Sequence, residues 1–168
     1  MSITADNIGF YLSGGSGNID PNASLGGAIS NTPVPINVRN NLFHSVFSNR
    51  AITGDTEYRC IYVKNTHPTL TLTNSVLWTP VNSPSTDTII YVAAGSSKIN
   101  KTEQEIALDT IEPTSVLFKE APYKTSGVSL GDLPPNGTKA VWIKRVLSAN
   151  ANQYSLDGIV ISTQGETA

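Results

Sequence analysis

A chain of 168 residues suits one domain with its own hydrophobic core. Only 14% of it is charged and the net charge is −2, with 11 scattered Lys and Arg, which excludes the basic stripe a nucleic-acid binder needs to displace counterions. Cys60 stands alone, which excludes an intramolecular disulfide framework.

In place of charge the chain is rich in Asn, Ser, Thr, Gly and Pro, the turn formers and hydroxyl-bearing strand surfaces of all-β proteins. The opening residues, Met1 to Asp6, hold no basic region and no apolar run. Neither a signal peptide nor a membrane span is expected, and synthesis in a cytoplasm follows.

Residues 8–12 (IGFYL) form a short apolar segment with strand character. The Gly-rich run 13–18 (SGGSGN) lacks the Lys-Ser/Thr and the following helix of a phosphate loop, so it reads as a turn. From Asn18 to Asn40 periodicity is weak and Gly and Pro punctuate. Structureless stretches of this length are uncommon inside compact domains. Sparse apolar anchors at Ile19, Leu25, Ile29, Val34 and Ile36 favour an extended arm bonded to a neighbouring molecule. The division expected is an arm over 1–40 and a sandwich over 41–168, with a homo-oligomer as the natural state.

Residues 41–47 (NLFHSVF) fit a short amphipathic turn or a distorted strand, with His44 on the polar side and exposed. With His67 the only other histidine, no metal site is assigned. Residues 56–65 (TEYRCIYVKN) are the clearest strand. Alternation puts Tyr58, Cys60 and Tyr62 on one face and Ile61 and Val63 on the other, so both faces are apolar and the strand should run through the interior. Cys60 is accordingly expected buried and inert.

Residues 70–78 form a strand with Leu70, Leu72, Val76 and Trp78 inward and Leu77 on the hydroxyl face, pairing with 56–65 as a hairpin or meander. Residues 87–94 are a further strand. Thr102 to Glu105 resembles a capping box, but the apolar run after it is short, so one helical turn or an irregular edge strand is expected. Glu103 and Glu105 would then form a solvated acidic edge. Short strands are expected at 116–118 and 128–130, and a turn at 131–137 carries Pro134-Pro135-Asn136-Gly137. Residues 138–147 (TKAVWIKRVL) are the second clear strand, with Ala140, Trp142 and Val146 on one face and Val141, Ile143 and Leu147 on the other. Residues 156–162 make the last strand, and 163–168 a frayed tail.

Strands at this spacing predict an all-β chain, an antiparallel β-sandwich of jelly-roll or Ig-like type. No Gly-x-Ser-x-Gly elbow, no His-Glu-x-x-His and no Cys pair occurs, so no catalytic, cofactor-binding or metal residue is assigned and an enzyme is not expected. Three glycosylation triplets, at Asn22, Asn100 and Asn136, are what chance gives in such a composition. Tyr123 and Tyr154 are the aromatics placed in loops, the sparse basis for a glycan-binding alternative.

Residues 12–15 (LSGG), 20–27 (DPNASLGG), 54–65 (GDTEYRCIYVKN) and 139–143 (KAVWI) resemble segments of small virion structural proteins of tailed bacteriophages. The resemblance implies a β-sandwich present in many copies on the particle, a capsid decoration or cement protein first and a neck, tail or baseplate component second. Its partners would be the major capsid protein or other virion proteins, without nucleic acid or membrane. It implies no functional residues.

Overall fold

The computed structural model describes residues 2–154 and 157–168. The elements are β1 (Ile8–Ser13), β2 (Gly26–Gly27), β3 (Ile29–Pro33), α1 (Ser48–Thr53), β4 (Asp55–Asn65), β5 (Leu72–Val81), β6 (Thr88–Ala94), β7 (Glu103–Glu105), β8 (Val128–Leu133), β9 (Thr138–Leu147) and β10 (Val160–Thr167). They build a five-stranded sheet in the order β3-β1-β4-β9-β6, a three-stranded sheet β10-β5-β8 and a small pair β2-β7, all antiparallel. The chain is an all-β antiparallel sandwich. Among the described residues no helix is long and apolar enough to cross a membrane.

β4 is the axis of the fold. It pairs with β9 without interruption from Asp55↔Leu147 to Lys64↔Thr138, and with β1 on its other side. Its two faces feed two separate cores. Ile61 and Val63, with Val141 and Ile143 of β9 and Ile90 and Val92 of β6, meet Leu72, Leu77, Val128, Leu130 and Leu133 of the second sheet. Tyr58, Cys60 and Tyr62, with Ala140 and Trp142, are covered by Ile106 and the half-buried Leu25, Ile29, Val116 and Phe118. The expected double burial of residues 58–63 and the face assignment of 138–147 both hold. At roughly 25 cal/mol per Å2, the fully buried Trp142 and the nearly buried Tyr58 and Tyr62 supply a large share of the second core.

Several expectations are overturned. No arm spans 1–40. β1 lies inside the five-stranded sheet, between β3 and β4, and Leu12 and Ser13 are fully buried. The hydrogen bonds expected from a neighbour come from this chain's own β4. The Gly-rich turn and the turn at Pro21–Ala23 fold the following residues back: Gly26 and Gly27 pair with β7, and β3 returns along β1. Gly26 has φ +100, and a Cβ there would run into the Gln104 carbonyl.

β4 and β5 do not form a hairpin, since they belong to different sheets. The corner between them is held by side chains. Asn65 Nδ2 donates to the carbonyls of Leu70 (2.8 Å) and Leu133 (2.9 Å), while buried His67 accepts from the amides of Thr69 and Leu70 at Nδ1. The chain is thereby turned out of one layer into the other.

The inward set of β5 is also out of the expected phase. Asn74 takes φ +51 and the register with β8 shifts around it. Beyond that bulge Ser75, Leu77 and Thr79 face inward, with Leu77 fully buried and Trp78 half-buried. Residues 116–118 are not a strand: Leu117 is 90% exposed, and only Lys119 bridges to Val92. The tail expected to fray over 163–168 is strand β10, paired along β5. Leu156, where that strand was expected to begin, lies outside the described residues.

Candidate functional site: an ion cluster beneath exposed apolar loops

The face of β4 that carries Ile61 and Val63 continues toward the strand's start as Asp55, Glu57 and Arg59, because residues two apart share a face. β9 sets Arg145 directly opposite Glu57. The same sheet face is therefore apolar in its middle and ionic at one end. α1, just before β4 in the chain, lies at that end. Gly54, between α1 and β4, has φ +77 and lies close to the backbone of Leu147 and Ala149, so the helix abuts the end of β9. Ala51 and Ile52 carbonyls accept from the amides of Ala151 and Asn150.

Glu57 is the centre of the cluster and is 1% exposed. It accepts from Arg50 Nη1 at 2.6 Å and from Arg145 through Nε (2.9 Å) and Nη2. His44 Nδ1 stands 3.3 Å from it. Arg50 also pairs with Asp55 (2.9 Å), and the buried Arg59 reaches Asp109 (3.3 Å). Three guanidiniums thus face three carboxylates. Burial alone would lower the Arg50 pKa, but the Glu57 hydrogen bond and the charges of Glu57, Asp55 and Asp109 raise it. Phe43 packs under two of the guanidiniums, with Arg145 4.7 Å and Arg59 5.3 Å from its ring centre.

His44, Glu57 and Asp109 bring ligand-type atoms within 4.8 Å of one another. Arg50 already fills that space with its own positive charge, contacting Glu57 and, at 4.0 Å, Asp109. No nucleophile is paired with a base there. What the cluster can do is clamp. It ties residues 43–50 and the loop around Asp109 to the end of the sheet, and Arg145 adds a bond to the His44 carbonyl at 3.1 Å. His44 is half-buried within the cluster rather than a free surface residue.

The segments so clamped present apolar side chains outward. Phe47 is 62% exposed and stacks edge-on against His44 with ring centres 5.7 Å apart. Ile52 of α1, and Leu108 and Ile111 on either side of Asp109, are also exposed, as are Ile36 and Val38 on the preceding stretch. Sequence reasoning missed the cluster. The signal was present: Asp55, Glu57 and Arg59 occur in phase with Ile61 and Val63, and Arg145 in phase with Val141 and Ile143.

A second polar centre lies on the opposite core. Glu103, expected on a solvated edge, is 3% exposed. It accepts from the amides of Ser96 (3.1 Å) and Ser97 (2.8 Å), the Ser96 hydroxyl (2.8 Å) and Trp142 Nε1 (3.4 Å). Burial alone would push its pKa up, but these bonds outweigh it and hold the carboxyl down at about 2. Lys139 donates to the carbonyls of Gly95 (2.9 Å) and Ser97, and burial lowers its pKa. The Tyr62 hydroxyl accepts from the Glu103 amide and donates to the Gly27 carbonyl, joining β7, β4 and β2. Burial pushes the Cys60 thiol up, out of the reactive range.

Asn22 accepts from Arg59 Nη2 at 3.4 Å, at the margin of the ion cluster; the remaining positions weighed in the sequence serve turns and loops. Asn18 of the Gly-rich run donates to the carbonyls of Ser13 and Asp20, closing a turn. Asn100 accepts from the Thr138 amide, and Asn136 takes φ +58 in its turn. Tyr123 and Tyr154 are exposed in loops. A surface hollow of about 200 Å3 is lined by Gly14, Ala23, Leu25, Gly26, Glu105 and Ile106 and presents one ionisable group. No family model, curated protein or solved structure matches the chain.

Proposed function

We propose that this protein is a non-catalytic structural component of a phage virion, in first place a decoration protein that stabilises contacts between shell subunits. The observation that carries the reading is the outward display of Phe47, Ile52, Leu108 and Ile111 around a buried, charge-balanced clamp. Scattered exposed apolar residues are ordinary, but several held in place at one end of a rigid body suit a docking surface. Pre-ordering those loops lowers the entropy lost on docking, so more of the contact energy appears as affinity. The rigid sandwich and the resemblance of its β1, β4 and β9 segments to phage virion proteins support the same reading.

The test has two parts. Phage particles purified from cells that make this chain are imaged, and its density should lie on the shell; density only in the neck, tail or baseplate replaces the decoration role, and absence from the particle removes the virion role. Phe47→Asp/Ile52→Asp, which touches exposed positions only, should keep the wild-type circular dichroism and lower particle occupancy about tenfold or more, the effect of a buried docking residue. Unchanged occupancy would show that this end does not dock.

A further inference from the structure

We infer that β10 is a self-pairing edge, and that two copies of this chain join through it in an antiparallel, twofold-symmetric strand pair. The inference rests on the assembly reading above and gives that assembly its partner surface.

β10 is the outer strand of the three-stranded sheet. Ala168 and Thr71 exchange both backbone bonds, at 2.9 and 3.0 Å, so Ala168 turns its backbone groups toward β5. Alternation then turns those of Thr167, Gly165, Thr163 and Ile161 outward. Both register shifts along this pair set two steps of β10 against three of β5: Ser162 to Val160 runs beside Trp78 to Val81, and Glu166 to Gln164 beside Thr73 to Val76. The extra residues belong to β5, so β10 keeps a regular outer edge. Among the described residues no backbone group bonds to that edge; at one end the Ile3 amide donates to the Thr167 hydroxyl, a side-chain contact.

The outer strands of the larger sheet carry protecting features. On β6, the Asn82 side chain takes both backbone groups of Ile90 at 3.1 Å, and Lys119 takes both of Val92 at 3.0 and 3.1 Å. β3 ends in Pro33, which has no amide to offer. β10 carries none of these devices: it has no Pro, no Lys and no Arg. A regular, unprotected edge of eight residues is a template for another strand.

The sequence of the strand selects a second copy as that other strand. Its single charge, Glu166, lies near one end. In a parallel pair the two Glu166 side chains would stack beside each other, whereas an antiparallel pair places them at opposite ends. With Gln164 on the twofold axis, outward residues meet outward residues: Thr163 faces Gly165, and Ile161 faces Thr167. Glu166 then lies opposite Ser162, a hydroxyl that can donate to it, and the two Gln164 amides face each other. An interface of one strand edge is small and belongs to the weak, concentration-dependent class.

The test uses the full chain. Sedimentation from about 1 to about 200 μM, the range where small interfaces associate, should show a monomer–dimer equilibrium. Gln164→Lys, at an exposed position, places like charges on the axis and should weaken the dimer about tenfold or more with the melting temperature unchanged. Gln164→Cys should form a disulfide-linked dimer on mild oxidation, since facing residues of an antiparallel pair have Cα atoms about 4.5–5.5 Å apart. Cys60 is buried and leaves the background clean. A wild-type monomer throughout the range, with no cross-link, overturns the inference. So does a dimer that neither variant changes or captures, which would place self-association elsewhere. Neither result touches the docking role of Phe47 and Ile52, which particle occupancy reads separately.

Discussion

Glu57 and Glu103 are both carboxylates removed from water, and they are stabilised by opposite means. Glu57 is neutralised by the guanidiniums of Arg50 and Arg145, so its burial is only as good as those partners. Removing it takes from Arg145 its carboxylate partner and leaves Arg50 with Asp55 and Asp109 alone. Glu57→Ala should lower the unfolding free energy by about 3–5 kcal/mol, read by urea titration. Arg50→Ala should cost less, because Arg50 is a quarter exposed and Arg145 still serves Glu57. Glu103 depends instead on neutral donors that favour its charged form, with a folded pKa of about 2 against an ordinary 4.5. A depressed carboxylate contributes stability that is fully present above its unfolded pKa. That contribution is lost as pH falls from about 4.5 toward about 2, and linkage puts it at about 3 kcal/mol. Wild type should therefore exceed Glu103→Gln in stability at neutral pH, and the gap should close by pH 2. A gap independent of pH would mean that shape, and not charge, is what the site requires.

Among the elements, β1 carries the most consequence for its length. Its alternation of Ile8, Phe10 and Leu12 against Gly9 and Tyr11 suits an interior strand, and both of its edges are paired. Deleting residues 1–33 would expose the edge of β4 from Cys60 to Asn65 and open both cores, to which Phe10 and Tyr11 contribute. The truncated chain should be insoluble or lack a cooperative thermal transition, measured by circular dichroism and light scattering; a folded, soluble truncation would restore the idea of a dispensable arm. β5 shows how one residue redirects an element. The left-handed Asn74 shifts the inward set by one position, so that Leu77 enters the core where strict alternation would have sent Val76 and Trp78.

At the scale of the molecule, the central sheet separates two cores, and each is closed by segments far away in sequence. The Asp55–Leu147 end gathers α1, the Asp109 loop and residues 148–152 around the ion clamp. β10 supplies an edge along the second sheet. Patterns between residues two apart settle the strands at β4, β6 and β9, the two apolar faces of β4 and β9, and the buried thiol of Cys60. Which strand lies beside which is settled by the folded whole. β1 joins β4 across some fifty residues, β10 joins β5 across some ninety, and Glu57 meets Arg145 in the same way. Local patterning states which side of a strand prefers to be dry. It holds no information about the partner that makes it dry, because that choice belongs to the closure of the whole sheet.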